Sequence, residues 1–137
     1  MGVDMMAAEI VAAMKRGELE MIFPGHDDVG RIYPVSIEAA LPCPEQTTGW
    51  ASDFKKRYFD ILDKCDQITY ISDFHTKTCY HDRNRYMVDR SSVLIAAWDG
   101  RKAGGTWFTI NYASRTGVRA VVLSLNAGGE YQCSLFD

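Results

Sequence analysis

Tyr80 to Gly117 reads YHDRNRYMVDRSSVLIAAWDGRKAGGTWFTINYASRTG, and this run decides the fold class. Thr76 to Arg90 predicts a polar helix anchored by Tyr80, Met87 and Val88. Ser92 to Trp98 is an unbroken apolar stretch with two β-branched residues, the pattern of a strand buried on both faces of a parallel sheet. Glycines then lead into a second helix, predicted over Gly104 to Ser114. A strand that passes through glycines into a helix is how α/β proteins build anion sites. The glycines let a ligand approach the backbone, and the free N–H groups at the helix start attract negative charge.

Working outward, Arg119 to Leu125 is another apolar strand. Upstream, Asp4 to Arg16 predicts a helix with Met6, Ile10, Ala13 and Met14 on one stripe, Asp4 as its N-cap and Gly17 as its end. Pro24 to Pro34 reads as a loop, and Val35 to Leu41 as a short strand stopped by Pro42 and Pro44. Trp50, Phe54, Tyr58, Ile61, Leu62 and Cys65 mark an amphipathic helix, and Gln67 to Ser72 a further strand. The order α-β-α-β-α-β-α-β predicts an α/β fold in three layers, with helices on both faces of the sheet. Its mostly parallel sheet would have about four to five strands flanked by helices, in one domain over residues 1–137.

The composition is that of a globular chain: 137 residues, 47% hydrophobic and 24% charged. A formal charge of −3 argues against a protein coated in nucleic acid. Cys43, Cys65, Cys79 and Cys133 form no C-x-x-C pair and no zinc pattern with His26, His75 or His81, so neither a metal nor a cofactor is expected. No apolar run approaches the roughly 20 residues of a membrane span, and a reduced, cytoplasmic setting is the simplest reading.

The candidate ligand-binding residues follow from the glycine turn. The strand ending at Trp98 delivers Asp99, Gly104, Gly105 and Thr106 to the carboxyl edge of the sheet, where open α/β sheets bind ligands. Thr106 and Thr109 add hydroxyls. A tight turn with a capping threonine and no ligand explains the same residues equally well. On the preceding helix, Arg83 offers a guanidinium fork suited to phosphate or carboxylate, while Arg85 and Asp89 are spaced to pair at i, i+4. Trp50, Phe54 and Tyr58 read as core rather than as a stacking platform.

The segment Arg83 to Gly100, with Gly104-Gly105-Thr106 and Tyr112-Ala113 after it, resembles the YpsA-like proteins. These belong to the SLOG superfamily, with the LOG cytokinin-activating enzymes and the DprA DNA-processing proteins. Gly2-Val3-Asp4 with Ala7-Ala8-Glu9 resembles the family's G-x-D-x-x-A-A-E turn, and Pro42 to Trp50 its P-F-E-x-Q-x-x-x-W stretch. The resemblance implies a Rossmann-like fold with a pocket for a nucleotide or nucleotide-derived ligand. It implies site residues Gly2, Asp4, Arg83, Asp99, Gly104, Gly105 and Thr106.

Two departures shape the expectation. The family's opening strand-helix-strand, with its T-G-H-R-P type motif, has no counterpart here. Part of the usual pocket is then missing, and an uncovered apolar face would favour a homo-oligomer. The LOG pattern P-G-G-x-G-T-x-x-E ends in a catalytic glutamate, and Thr109 stands at that position. Threonine cannot serve as a carboxylate acid or base. The reading is therefore a binder of an ADP-ribose- or NAD-like small molecule without strong catalysis. One alternative is a LOG-like nucleoside-monophosphate phosphoribohydrolase relying on Asp99. Another is a DprA-like single-stranded DNA-binding module, which the acidic balance disfavours.

Overall fold

A computed structural model describes residues 2–18, 34–125 and 131–136. The elements are α1 (Val3–Lys15), β1 (Glu38–Leu41), a 3-10 turn (Pro44–Thr47), α2 (Ser52–Leu62), β2 (Gln67–Tyr70), α3 (Cys79–Asp89), β3 (Val93–Trp98), α4 (Gly104–Thr116), β4 (Arg119–Leu125) and β5 (Tyr131–Phe136). The class is mixed α/β and Rossmann-like in its alternation, as the hydrophobic pattern predicts. The strands form two sheets rather than one: β1-β2, and β3-β4-β5. β5 lies beyond the last predicted element and runs antiparallel to β4. The segment 19–33, which holds nearly all of the predicted Pro24 to Pro34 loop, lies outside the described residues.

The chain divides into two compact units, Met1–Ala39 with Thr47–Thr69 and Ala40–Gln46 with Tyr70–Asp137. In the first, α1 starts two residues earlier than an N-cap at Asp4 would place it. Gly2 is the N-cap, and Asp4 sits inside the first turn without a side-chain capping bond, its charge still favourable at a helix start. Met5 and Ala12 are the buried residues of α1, while Met6 and Ile10 of the predicted stripe are exposed. Glu9 shares the Met5–Ala12 face, and both its carboxylate oxygens accept from Arg57 of α2, at 2.5 and 2.6 Å. Tyr58, Ile61 and Leu62 are the buried anchors of α2, with Trp50 edge-on to Tyr58 at 5.6 Å. Lys15 pairs with Asp66, whose other oxygen accepts the Ile37 N–H at 2.8 Å.

In the second unit, β3 and β4 are parallel in the register Val93↔Arg119 through Trp98↔Ser124, with α4 as their crossover. Ala96, Ile110, Ala120 and Val122 form one buried cluster of its core, and Leu94 and Trp98 pack against it. This corrects the expectation for β3. Alternation along the strand sends Leu94, Ala96 and Trp98 to the core, but Val93 and Ile95 are exposed, Ile95 by 70%. An apolar run reads the same whether one or two faces are covered. α4 ends at Gly117, whose φ of +75° is left-handed, and the Val118 N–H closes back on the Ala113 carbonyl at 2.9 Å.

Candidate functional site

α4 begins directly after the loop that follows β3, and three features leave its first turn open. Its N-cap is Ala103, which has no side chain to cap with, and no acidic residue lies in its first turn. The first turns of α1, α2 and α3 hold Asp4, Asp53 and Asp82. Gly104 has φ +84°, a conformation that disfavours any side chain, and nothing lies within 4 Å of where a Cβ would stand. Gly104, Gly105 and Thr106 are all exposed. The unmatched backbone N–H groups of a helix start carry partial positive charge and are placed to receive an anion.

Arg83 is half-buried on α3 and donates its Nε–H to Asn84 Oδ1 at 2.8 Å. No carboxylate pairs with it among the described residues. Arg16 pairs with Glu18, Arg57 with Glu9, Arg85 with Asp82 and Arg101 with Asp99, whereas Arg90, Arg115 and Arg119, like Arg83, show no carboxylate partner among the described residues. Asn84 is buried, and its amide nitrogen lies 3.6 Å from the point where a Cβ on Gly105 would stand. Asn84 therefore links Arg83 to the start of α4.

The remaining predicted residues are placed differently. Thr109 is buried and donates its hydroxyl to the Gly105 carbonyl at 2.8 Å, bracing the first turn from inside. Asp99 is exposed and forms a local turn, accepting the Arg101 backbone N–H at 3.1 Å and the Arg101 guanidinium at 2.6 Å. That backbone bond, then the guanidinium, hold its carboxyl below the usual aspartate range, so it stays ionised and is a poor proton donor. Gly2 and Asp4 belong to the first unit, the other predicted residues to the second. Arg85 does not pair with Asp89 but with Asp82 at 3.0 Å, and lies over the Phe108 ring. Asp89 accepts from the Tyr112 hydroxyl at 2.9 Å, which pushes that phenol's pKa up.

From Gly104 a shallow groove of about 250 Å³ runs along α4, lined by Trp107, Phe108, Asn111, Tyr112 and Arg115. Trp107 stacks on Trp98 at 5.2 Å, and His81 packs on Phe108 at 4.4 Å. Sequence reasoning missed this aromatic lining. The spacing of residues 104, 108, 111 and 115 along one helix face was its available signal. Among the described residues, no group of three or more His, Cys, Asp or Glu side chains could hold a metal ion. Cys43 and Cys79 are buried, and burial pushes the Cys43 thiol up, away from nucleophilic use. No described helix is long and apolar enough to cross a membrane.

Comparison with known proteins gives relatives of unassigned activity. No family model matches the chain. It is 30% identical over 89 residues to the uncharacterized SPbeta prophage-derived protein YoqJ of Bacillus subtilis (strain 168), across 56% of this chain and 52% of that protein. It is 24% identical over 119 residues to UPF0398 proteins of Bacillus thuringiensis (strain Al Hakam) and Bacillus cereus (strain AH187), across 85% of this chain and 57% of each. The chain thus spans about half the length of the curated relatives it matches.

Proposed function

We propose that this protein binds a nucleotide or nucleotide-derived ligand of the ADP-ribose or NAD kind, as its resemblance to the YpsA-like SLOG proteins implies. The phosphate sits at the start of α4 and Arg83 supplies the cation. The observation that carries this reading is half-buried Arg83, whose guanidinium is held by a neutral amide beside the acid-free start of α4 and is matched by no carboxylate among the described residues. Such a charge is stabilised by an incoming anion. The groove beyond Gly104 offers apolar lining for a base from Trp107 and Phe108, rings that already carry Trp98 and Arg85 respectively.

The ligand is bound rather than cleaved. Hydrolysis of an N-glycosidic bond in the LOG manner needs a carboxylate at this turn. Thr109 is turned inward onto the Gly105 carbonyl, and Asp99 is engaged by Arg101. Calorimetric titration of the purified protein with AMP, ADP-ribose and NAD tests the reading. Saturable binding that weakens at least about tenfold on Arg83→Ala is the expected result. No binding at millimolar ligand overturns it, and release of free adenine from AMP overturns the non-catalytic part.

A further inference from the structure

One side chain at this site, Asn84, sits between two arginines in the sequence and has so far been given no role in binding. Asn84 is only 7% exposed, and its two amide atoms do different things. Oδ1 accepts the Nε–H of Arg83 at 2.8 Å. Nδ2 faces the start of α4, 3.6 Å from the position of a Cβ on Gly105, and donates no hydrogen bond among the described residues. Asn84 Nδ2 is not among the buried side-chain atoms left without a partner, so it keeps contact with solvent at the start of α4 and its N–H donors are open to an accepting ligand.

The choice of amide matters for the charge. An aspartate of the same shape would also grip Arg83, but it would cancel the guanidinium and direct negative charge at the helix start. The amide fixes the arginine through Nε–H alone and leaves the four Nη–H donors and the full positive charge available.

We propose that Asn84 is the positioning residue of the anion site. Its carbonyl oxygen orients Arg83, and its amide N–H₂ donates to a phosphate-type oxyanion held between Arg83 and the backbone N–H of Gly105. This rests on the reading of the α4 start as an anion site, and the test separates the two. In the ¹⁵N-labelled full chain, titration with inorganic phosphate shifts the Asn84 side-chain amide pair and the Gly105 backbone amide along one saturation curve. Asn84→Ala weakens phosphate binding about tenfold, the scale of one hydrogen bond to a charged group. On an Arg83→Lys background, which lacks the Nε–H that Asn84 holds, the same substitution has a much smaller effect, because the two residues act as a unit. A merely structural role would give the same loss on both backgrounds. The proposal is overturned if the Gly105 amide shifts and Arg83→Ala weakens binding while the Asn84 amide pair stays still; the anion site then stands without Asn84. If no resonance moves at millimolar phosphate, the anion site and the role of Asn84 fall together. Should Asn84→Ala fail to fold, the wild-type amide shifts decide alone.

Discussion

The pairs α1–α2 and α3–α4 both carry an arginine on one helix, and the two arginines are held in opposite ways. In the first pair, Arg57 meets both oxygens of Glu9, so the contact closes on itself and carries no net charge. In the second, Arg83 meets the neutral Asn84, which lies against Gly105, and the positive charge is left over. The helix starts differ in the same sense, for α1 has Asp4 in its first turn and α4 has no acid there. A matched arginine joins two helices. An unmatched one beside an acid-free helix start is what the proposed anion site requires.

The most direct way to break the comparison is to remove each arginine in turn. Arg83→Ala should weaken nucleotide binding by about 10- to 100-fold, the loss of one or two charge-assisted hydrogen bonds, with little change in melting temperature. Arg57→Ala should do the reverse, lowering the melting temperature and leaving the titration unchanged. Equal effects on binding would end the distinction.

Thr106→Glu sharpens it, because it gives α4 the acid that the other helices have. The helix gains about 0.3–1 kcal/mol from the dipole, seen as a higher melting temperature, while nucleotide binding weakens about tenfold. Gly104→Ala forces a side chain into φ +84°, at a cost of about 1–2 kcal/mol, and lowers the melting temperature by several degrees.

The smallest effect is a pH dependence. The Arg57 hydrogen bond holds the Glu9 carboxyl below the ordinary glutamate value. A depressed folded-state pKa contributes stability that is present above the unfolded value of about 4.3 and is lost as pH falls through the folded one. Thermal melts of the wild type should therefore drop more steeply below that pH than those of Glu9→Gln.

Much of this was legible in the sequence. The alternation of elements follows from periodicity, and all four helices and the first four strands lie where the pattern puts them. The face of α1 was not legible, because Ala7, Ala8, Ala12 and Ala13 give no size contrast to separate a stripe through Met6 from one through Met5. β5 carries an alternation of Tyr131, Cys133 and Leu135 that could have revealed it. The division into two sheets depends on long-range strand pairing, which local periodicity does not encode. At the site, the glycines and Arg83 were readable as residue types. Asn84 was not, because an asparagine in a polar helix reads as solvated. Its place four residues before Val88, a predicted anchor, was the clue that it shares the buried face.

The stack of Trp98 on Trp107 has a practical consequence. The two indoles lie 5.2 Å apart and within 15° of parallel, one at the end of β3 and the other in the first turn of α4. The Trp98 indole N–H also holds the Arg101 carbonyl at 2.8 Å, fixing the loop between them. Two chromophores this close and this ordered couple optically. The near-ultraviolet circular dichroism of this pair is a label-free reporter of any movement in residues 99–103.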